Sequence, residues 1–328
     1  MKRPRAATTA ATGAACLVAL AACSASSSER VAQAPADSGP HPVVAVPQAE
    51  RILDTVDVAL TNAAGNPAAA GARIAGPYKQ ILAALNPRPS GTARAPTATP
   101  SATQRTRLVI PLGSAWPRFF VAVTTPPKQS TPMMRVLVSA NPRAPYSLWG
   151  ELTMLPGATL PEVAPAEQGA PAPTRAPGGT QPRPADALAR YADVLAKGSA
   201  SRYAREFAPS LFTDQVTAGT AADRKKLAKV ATVTTTHTAV PGALFTLATA
   251  DGGTLVIGEI RQTVTIAIKR GSGTVKVTDP QVARLAGRSR FSKQIHRTAL
   301  EVVALRIPPS GAVTVVAAEK AYVAITGS

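Results

Sequence analysis

Three histidines, two cysteines and eighteen carboxylates are a small stock of bases and metal ligands for a chain of 328 residues. Nucleophilic hydrolysis needs a base beside the nucleophile, and histidine is its usual form. His41 lies in a proline-punctuated stretch that suits no rigid site. His237 sits in TVTTTHTAV, where a threonine-rich strand makes it a cross-strand surface residue. His296, beside Lys293 and Arg297, is read as an exposed strand position. No GxSxG elbow, HExxH pair, P-loop or GxGxxG turn occurs. The histidines and cysteines are too few for a zinc ligand set, and no acidic run has EF-hand spacing. Paired carboxylates for glycoside cleavage have no sequence spacing to detect, but Asp and Glu are scarce and aromatics reach only 4%. Trp116, Phe119, Phe120 and Trp149 form the one dense aromatic group, read as core of the first half in preference to a pocket lining. The expectation is a non-enzymatic protein without cofactor or metal.

Cys23 has the one setting that implies covalent chemistry. Lys2, Arg3 and Arg5 make a positive start, followed by a mostly apolar stretch from Ala6 to Ala22 that is too short and alanine-rich to span a membrane. Leu20-Ala21-Ala22-Cys23 resembles the lipobox of bacterial lipoproteins: an aliphatic residue, two small ones, then cysteine. The resemblance implies that the Cys23 thiol receives a diacylglyceryl group and that the signal is cut between Ala22 and Cys23. Cys23 then becomes the N-terminus, on the outer, extracytoplasmic face of the cell membrane. Two acyl chains suffice for stable anchoring, where one is marginal. Cys16 fits poorly, because Gly13 stands where the aliphatic residue belongs; it leaves with the signal. One lipidated cysteine excludes disulfides and thiolate metal sites from the mature chain.

Net charge is +18, and removing Lys2, Arg3 and Arg5 leaves 33 basic against 18 acidic residues. A body near +15 on a membrane is drawn to anionic lipids or acidic wall polymers. Nucleic acid is disfavoured, since aromatics are sparse and the basic residues scattered. The densest run contains Arg284, Arg288, Arg290, Lys293 and Arg297, the candidate patch for an anionic surface. A solvated face is its plainer reading.

Residues 1–22 are thus the signal, and residues 23–48 a tether rich in Ser, Ala and Pro. As a flexible coil it reaches roughly 25–30 Å. Residues 86–104 and 164–184 are also low in complexity, without the apolar content to offset ordering entropy. The first reads as a loop inside an N-terminal domain (residues 49–163); the second as a linker to a C-terminal domain (residues 185–328). Each half places helices before strands. PQAERILDTVDVALTNA carries Ile52, Val56, Val58 and Leu60 on a helical pattern, and GARIAGPYKQILAAL continues it. RLVIPL, RFFVAVTT, MRVLVSA and SLWGELTML then read as strands. In the second half PADALARYADVLA is a helix opened by Pro184. SRYAREFAPSLF and AADRKKLAKV are shorter helices. KVATVTTTHTAV, ALFTLATA, TLVIGEIRQTVTIAIK, GTVKVTD, HRTALEVVALRIP and AVTVVAAEKAYVAIT read as strands, with turns at Gly252–Gly253 and Ser272–Gly273. The expected fold class is α+β, as two tandem helix-then-antiparallel-sheet domains of the NTF2 or cystatin kind.

The segments PRFFVAVTTPP, YSLWGELTMLPGATLPEVA and ALARYADVLAKG…EFAPSLFTDQ resemble secreted lipoproteins of high-GC actinobacteria across most of the mature chain. The resemblance implies envelope location and a two-domain layout, and carries no activity. The combined expectation is a lipid-anchored envelope protein that presents an interaction surface to an envelope protein partner. The alternatives are a carrier of a small apolar or anionic ligand in a concave sheet, and an NTF2-like enzyme. The last needs a buried Asp/His pair in such a cavity.

Overall fold

The computed structural model describes residues 40–63, 66–85, 104–126, 130–174 and 181–328. The expected signal, Ala22, Cys23 and most of the tether lie outside these residues, as does nearly all of the expected loop 86–104. Helices and one large antiparallel sheet make the fold α+β, as the alternation and helical spacing predict.

The first half runs α1 (Val46–Ala63), α2 (Gly76–Leu85), β1 (Gln104–Val109), β2 (Arg118–Thr125), β3 (Met133–Ser139) and β4 (Ser147–Met154). Helix α1 buries Ala49, Leu53, Val56, Ala59 and Ala63, a three-or-four spacing that keeps one stripe on the sheet. Val58 instead points outward and is 55% exposed, and the inward places on either side of it belong to Val56 and Ala59. The second half runs α3 (Pro184–Lys197), α4 (Leu211–Leu227), β5 (Ala231–Ala248), β6 (Thr254–Ile268), β7 (Val275–Lys276), α5 (Pro280–Ala286), β8 (Arg290–Phe291), β9 (Gln294–Ile307) and β10 (Thr314–Gly327). The two short helices expected around residues 201–230 are instead a 3-10 turn and one 17-residue helix, started by Ser210, whose hydroxyl accepts from the Thr213 N–H. The two expected strands on either side of Pro241-Gly242 are one strand, β5, with a register shift between Ala239 and Leu244. A bulge absorbs the proline that would otherwise break the ladder.

The eight strands form one sheet in the order β1-β2-β3-β4-β10-β9-β6-β5, and β7 and β8 pair separately. This corrects the two-domain expectation. The halves do each run helices then strands, but their last strands meet: Met154 pairs with Ala317 and Thr153 with Ala318. Residues 40–328 are one compact unit. The reason lies on the sheet face turned away from the helices. There Val121, Val123, Met134, Val136 and Leu152 of the first half share a core with Phe245, Leu247, Leu255, Ile257, Val302 and Ala304 of the second. Phe245 packs between Phe119 and Trp149, with ring centroids 4.9 Å from each. Neither half has a second layer of its own for that face, so the sheet curls until each half covers the other.

The expected linker is part of this closure. Ala170 is fully buried; its N–H donates to Ile110 and its carbonyl accepts from Leu112, both at 2.7 Å. One residue on, the Pro171 carbonyl accepts from the Ala248 N–H at 3.2 Å. The strap thus ties the sheet's first strand to its last. Proline is tolerated here because Pro171 enters this pairing only as an acceptor, through its carbonyl.

Strands β4 and β10 pair over two residue pairs only, and α2 packs against both. Ile74 bridges Leu148 just before α2 begins. Gly76 enters with φ +57°, and a Cβ there would lie 2.3 Å from Trp149, so only glycine lets the chain pass over that ring. Polar groups gather at this seam. Arg135 of β3 bonds Asp57 of α1 and Glu151 of β4, each at 2.6 Å. Beside them Glu319 of β10 is pushed up to about 7, chiefly by burial and then by the Glu151 carboxylate.

Two outcomes test this architecture. Expressed apart, residues 40–163 and 185–328 should each stay unfolded by circular dichroism and regain ordered signal when mixed; two independently folded halves would show separable domains. Glu319 supplies a pH test. Its folded value lies above its ordinary 4.5, so the folded state binds more protons between those limits. Stability is present below pH 4.5 and falls as pH rises to 7. Glu319→Gln should therefore match the wild type near pH 4.5 and exceed it by about 1–2 kcal/mol at pH 8 in urea unfolding.

Candidate functional site

The second half carries two features with chemical content: a buried polar belt under the helices and an exposed basic end. Helices α3 and α4 cover the helix side of β6, β9 and β10 through Leu188, Tyr191, Leu195, Phe212 and Val216. Gly258 is required there, since a Cβ would sit 2.4 Å from Leu188 and hold α3 off the sheet. Toward the far end a second apolar group, including Val233, Ile266, Phe291, Ile295 and Ile325, packs under α5. The belt lies between these two cores.

Adjacent strands build the belt by register. His237 faces Gln262, which faces Ala299, which faces Tyr322; one row over, Ile260, Glu301 and Lys320 align. The His237 Nδ1 lies 2.8 Å from Glu301 Oε2, and both side chains have no exposure. Lys320 Nζ lies 3.2 Å from the other carboxylate oxygen, and the Gln262 amide nitrogen 3.4 Å from His237 Nε2. A donor on Nδ1 toward the carboxylate and an acceptor on Nε2 toward the amide satisfy this arrangement. His237 is therefore not the surface residue that its threonine neighbours suggest. The alternation that exposes Thr232, Thr234 and Thr236 turns the odd positions under α3. This pair is the kind that a buried-dyad enzyme would need. Neither side chain is exposed to solvent, and the pair's neighbours among the described residues are the Gln262 amide and the Lys320 ammonium. Its arrangement serves to compensate a buried carboxylate.

The five basic residues singled out in the sequence divide. Arg284, Arg288, Arg290 and Lys293 are exposed around α5, β8 and the turn into β9. Arg297 turns inward, with its side chain 13% exposed. It pairs with Asp223 of α4 and lies over the Tyr322 ring at 5.5 Å. It fastens α4 to the sheet and is no part of the patch. Burial raises the Tyr322 phenol above its ordinary range, against the lowering effect of Arg297.

Folding adds cations that looked scattered in the chain. Lys269 donates from its backbone to Val230, and from Nζ to Ala228 at 2.7 Å, which joins the β6 end to the α4 end. The Lys293 carbonyl accepts from Ile268, and Lys276 stands opposite Arg290 on the β7–β8 ribbon. Residues 225–230, 269–276 and 284–293 thus meet at one end with three, three and four Lys or Arg, ten in all, and no Asp or Glu. All ten are exposed. Two cations opposed across a ribbon destabilise it unless an anion intervenes. The last turn of α4 ends in Arg224, Lys225 and Lys226, where the helix carbonyls favour positive charge.

Elsewhere the molecule is less suggestive. An open cleft of 860 Å³ runs between residues 155–162 and the start of α4, with Asp251 and Arg306 at its wall. That pair locks a hairpin. Asp251 is held down to about 2, first by the Thr249 hydroxyl and then by the Gly253 N–H and Arg306. Phe119, Phe120 and Trp149 fill cores, as the sequence reading prefers, while Trp116 stacks under Arg118 at 4.6 Å. Among the described residues no group of three His, Cys, Asp or Glu is placed to hold a metal ion, and no helix is long and apolar enough to cross a membrane.

A family model described as a domain of unknown function (DUF8094) matches residues 40–327, the same span as the compact unit. The chain belongs to this family. No curated protein and no solved structure matches it. The DUF8094 match spans residues 164–184, in line with a strap at 164–174 that belongs to the fold.

The belt makes a stability prediction. His237→Leu leaves Glu301 buried with only Lys320 and should cost roughly 3 kcal/mol in chemical unfolding. Replacing His237 and Glu301 together by leucine should recover most of that, because Lys320 is 23% exposed and can reach water. A double variant as weak as the single one would mean that the belt holds the sheet by more than charge compensation.

Proposed function

We propose that this DUF8094 protein is lipid-anchored through Cys23 on the outer face of the cell membrane and works as a non-enzymatic interaction module. Its basic end engages an anionic wall polymer. The observation that carries this reading is the set of ten exposed cations, free of any carboxylate in the same three segments, with Lys276 and Arg290 directly opposed. The basic end lies far from the point where the described chain begins. His41 joins Gly113, Leu112 joins the strap, and the strap joins Ala248, so the described chain begins beside one end of β5. The basic end lies at the other, past Ala231. Seventeen strand steps separate them, on the order of 50 Å. A carrier of a small ligand in the concave face is less supported, because side chains from both halves fill that face.

The full chain, solubilised in detergent, should bind long-chain polyphosphate at low salt and release it as salt rises. Neutralising Arg284, Arg288, Arg290 and Lys293 together should weaken binding by about tenfold or more and flatten the salt dependence. Cys23→Ala should move the chain out of the detergent phase without changing polymer binding. Unchanged binding in the four-site variant would overturn the assignment of the basic end.

A further inference from the structure

Strand β5 closes one edge of the sheet, and its two halves are treated differently. Residues 244–248 turn into the shared core and meet the strap. Beyond the Pro241-Gly242 bulge, residues 231–239 leave that core, and their only backbone partners among the described residues are on β6. An antiparallel edge strand points every second N–H and C=O pair away from its one neighbour. The opposite edge of the sheet is defended: β1 is six residues long, carries Arg105 and Arg107, and has a register shift between them. Residues 231–239 of the β5 edge carry neither a charged side chain nor a register shift; the strand's own bulge lies beyond them, between Ala239 and Leu244. The strand is eighteen residues long, and from Ala231 to Ala248 its only titratable side chain is the buried His237.

A groove of 460 Å³ runs along this edge at Thr235, Thr236 and His237. Its other wall is α3, which offers Ala189, Asp193, Ala196 and Lys197 at helical spacing. The two alanines leave room beside the strand, and Asp193 and Lys197 neutralise one another at 2.6 Å. Arg224 closes one end. It is exposed and has no ion-pair partner among the described residues.

We propose that this groove is a strand-addition site that takes an extended acidic segment of another protein, paired on the β5 edge. Main-chain bonds to residues 231–239 supply the affinity. Alternate side chains of the guest enter the space over Ala189 and Ala196, and a carboxylate meets Arg224. Charge selects this guest over a second copy of the chain, which would bring its own Arg224 and a strong net positive charge to the same place. The inference rests on the reading of the chain as an interaction module, and is independent of the basic end.

The test uses the full chain and two eight-residue probes, one alternating glutamate with valine and one alternating lysine with valine. The acidic probe should bind and protect the backbone amides of residues 231–239 from hydrogen exchange. Arg224→Glu should weaken it by about fivefold to tenfold and favour the lysine probe. Ala196→Trp, which fills the groove from the helix side, should abolish binding of both while circular dichroism and polyphosphate binding stay intact. Protection confined to residues 225–230, 269–276 or 284–293, equal binding of both probes, or no binding of either would overturn the proposal. Polyphosphate binding measured in parallel separates the two readings: loss there with groove protection intact removes only the basic-end assignment.

Discussion

One packing constraint governs this molecule: the strands of the first half are apolar on both faces and have helices for only one of them. Helix α1 covers Ile110, Phe120, Leu137 and Leu148. The opposite residues, Val121, Val123, Met134 and Val136, would otherwise face water, at a cost of roughly 2 kcal/mol for each large side chain. The second half meets the same problem with Leu255, Ile257, Val302 and Ala304. Each half is the missing layer of the other. The edge-to-edge meeting of β4 and β10, the burial of Ala170 and the aromatic contacts of Phe245 all follow from that mutual cover.

Closing a sheet this way forces polar groups into places where hydrocarbon would be simpler. The seam gathers Asp57, Arg135, Glu151 and Glu319, and the belt gathers His237, Glu301 and Lys320. Neighbouring residues of β10, Glu319 and Lys320, serve one network each. Buried charges of this kind fix register, because a slipped strand would separate Arg135 from Glu151 and Glu301 from His237 and Lys320. Strand β10, which joins the two halves, is thus pinned by charge as well as by apolar contact.

Much of the fold was legible in the chain. The helices at 46–63 and 184–197 and most strands follow from period and turn chemistry, and the α+β class follows from their order. What escaped was long range. A stretch such as residues 164–184 reads as linker on composition, yet two backbone bonds of Ala170 tie residues 164–174 into the fold. His237 looked like surface because alternation gives the period of a strand without saying which face the helices will cover. Arg297 looked like its basic neighbours, and only Asp223 on a distant helix shows its different use. The basic end was hidden for a similar reason. Three runs separated by tens of residues carry modest charge one at a time, and hairpins bring them together.

The strand order also has a consequence for how the molecule comes into being. Strand β10 is made last, yet it stands fifth of eight in the sheet, between β4 and β9. During synthesis the first four strands and their helices must wait for about 160 further residues before their bare face is covered. No partial chain ending before Thr314 has a finished core. The growing chain is therefore an open, sticky intermediate over those residues, and completion comes as a single late event when the fourteen-residue strand β10 slots into the middle.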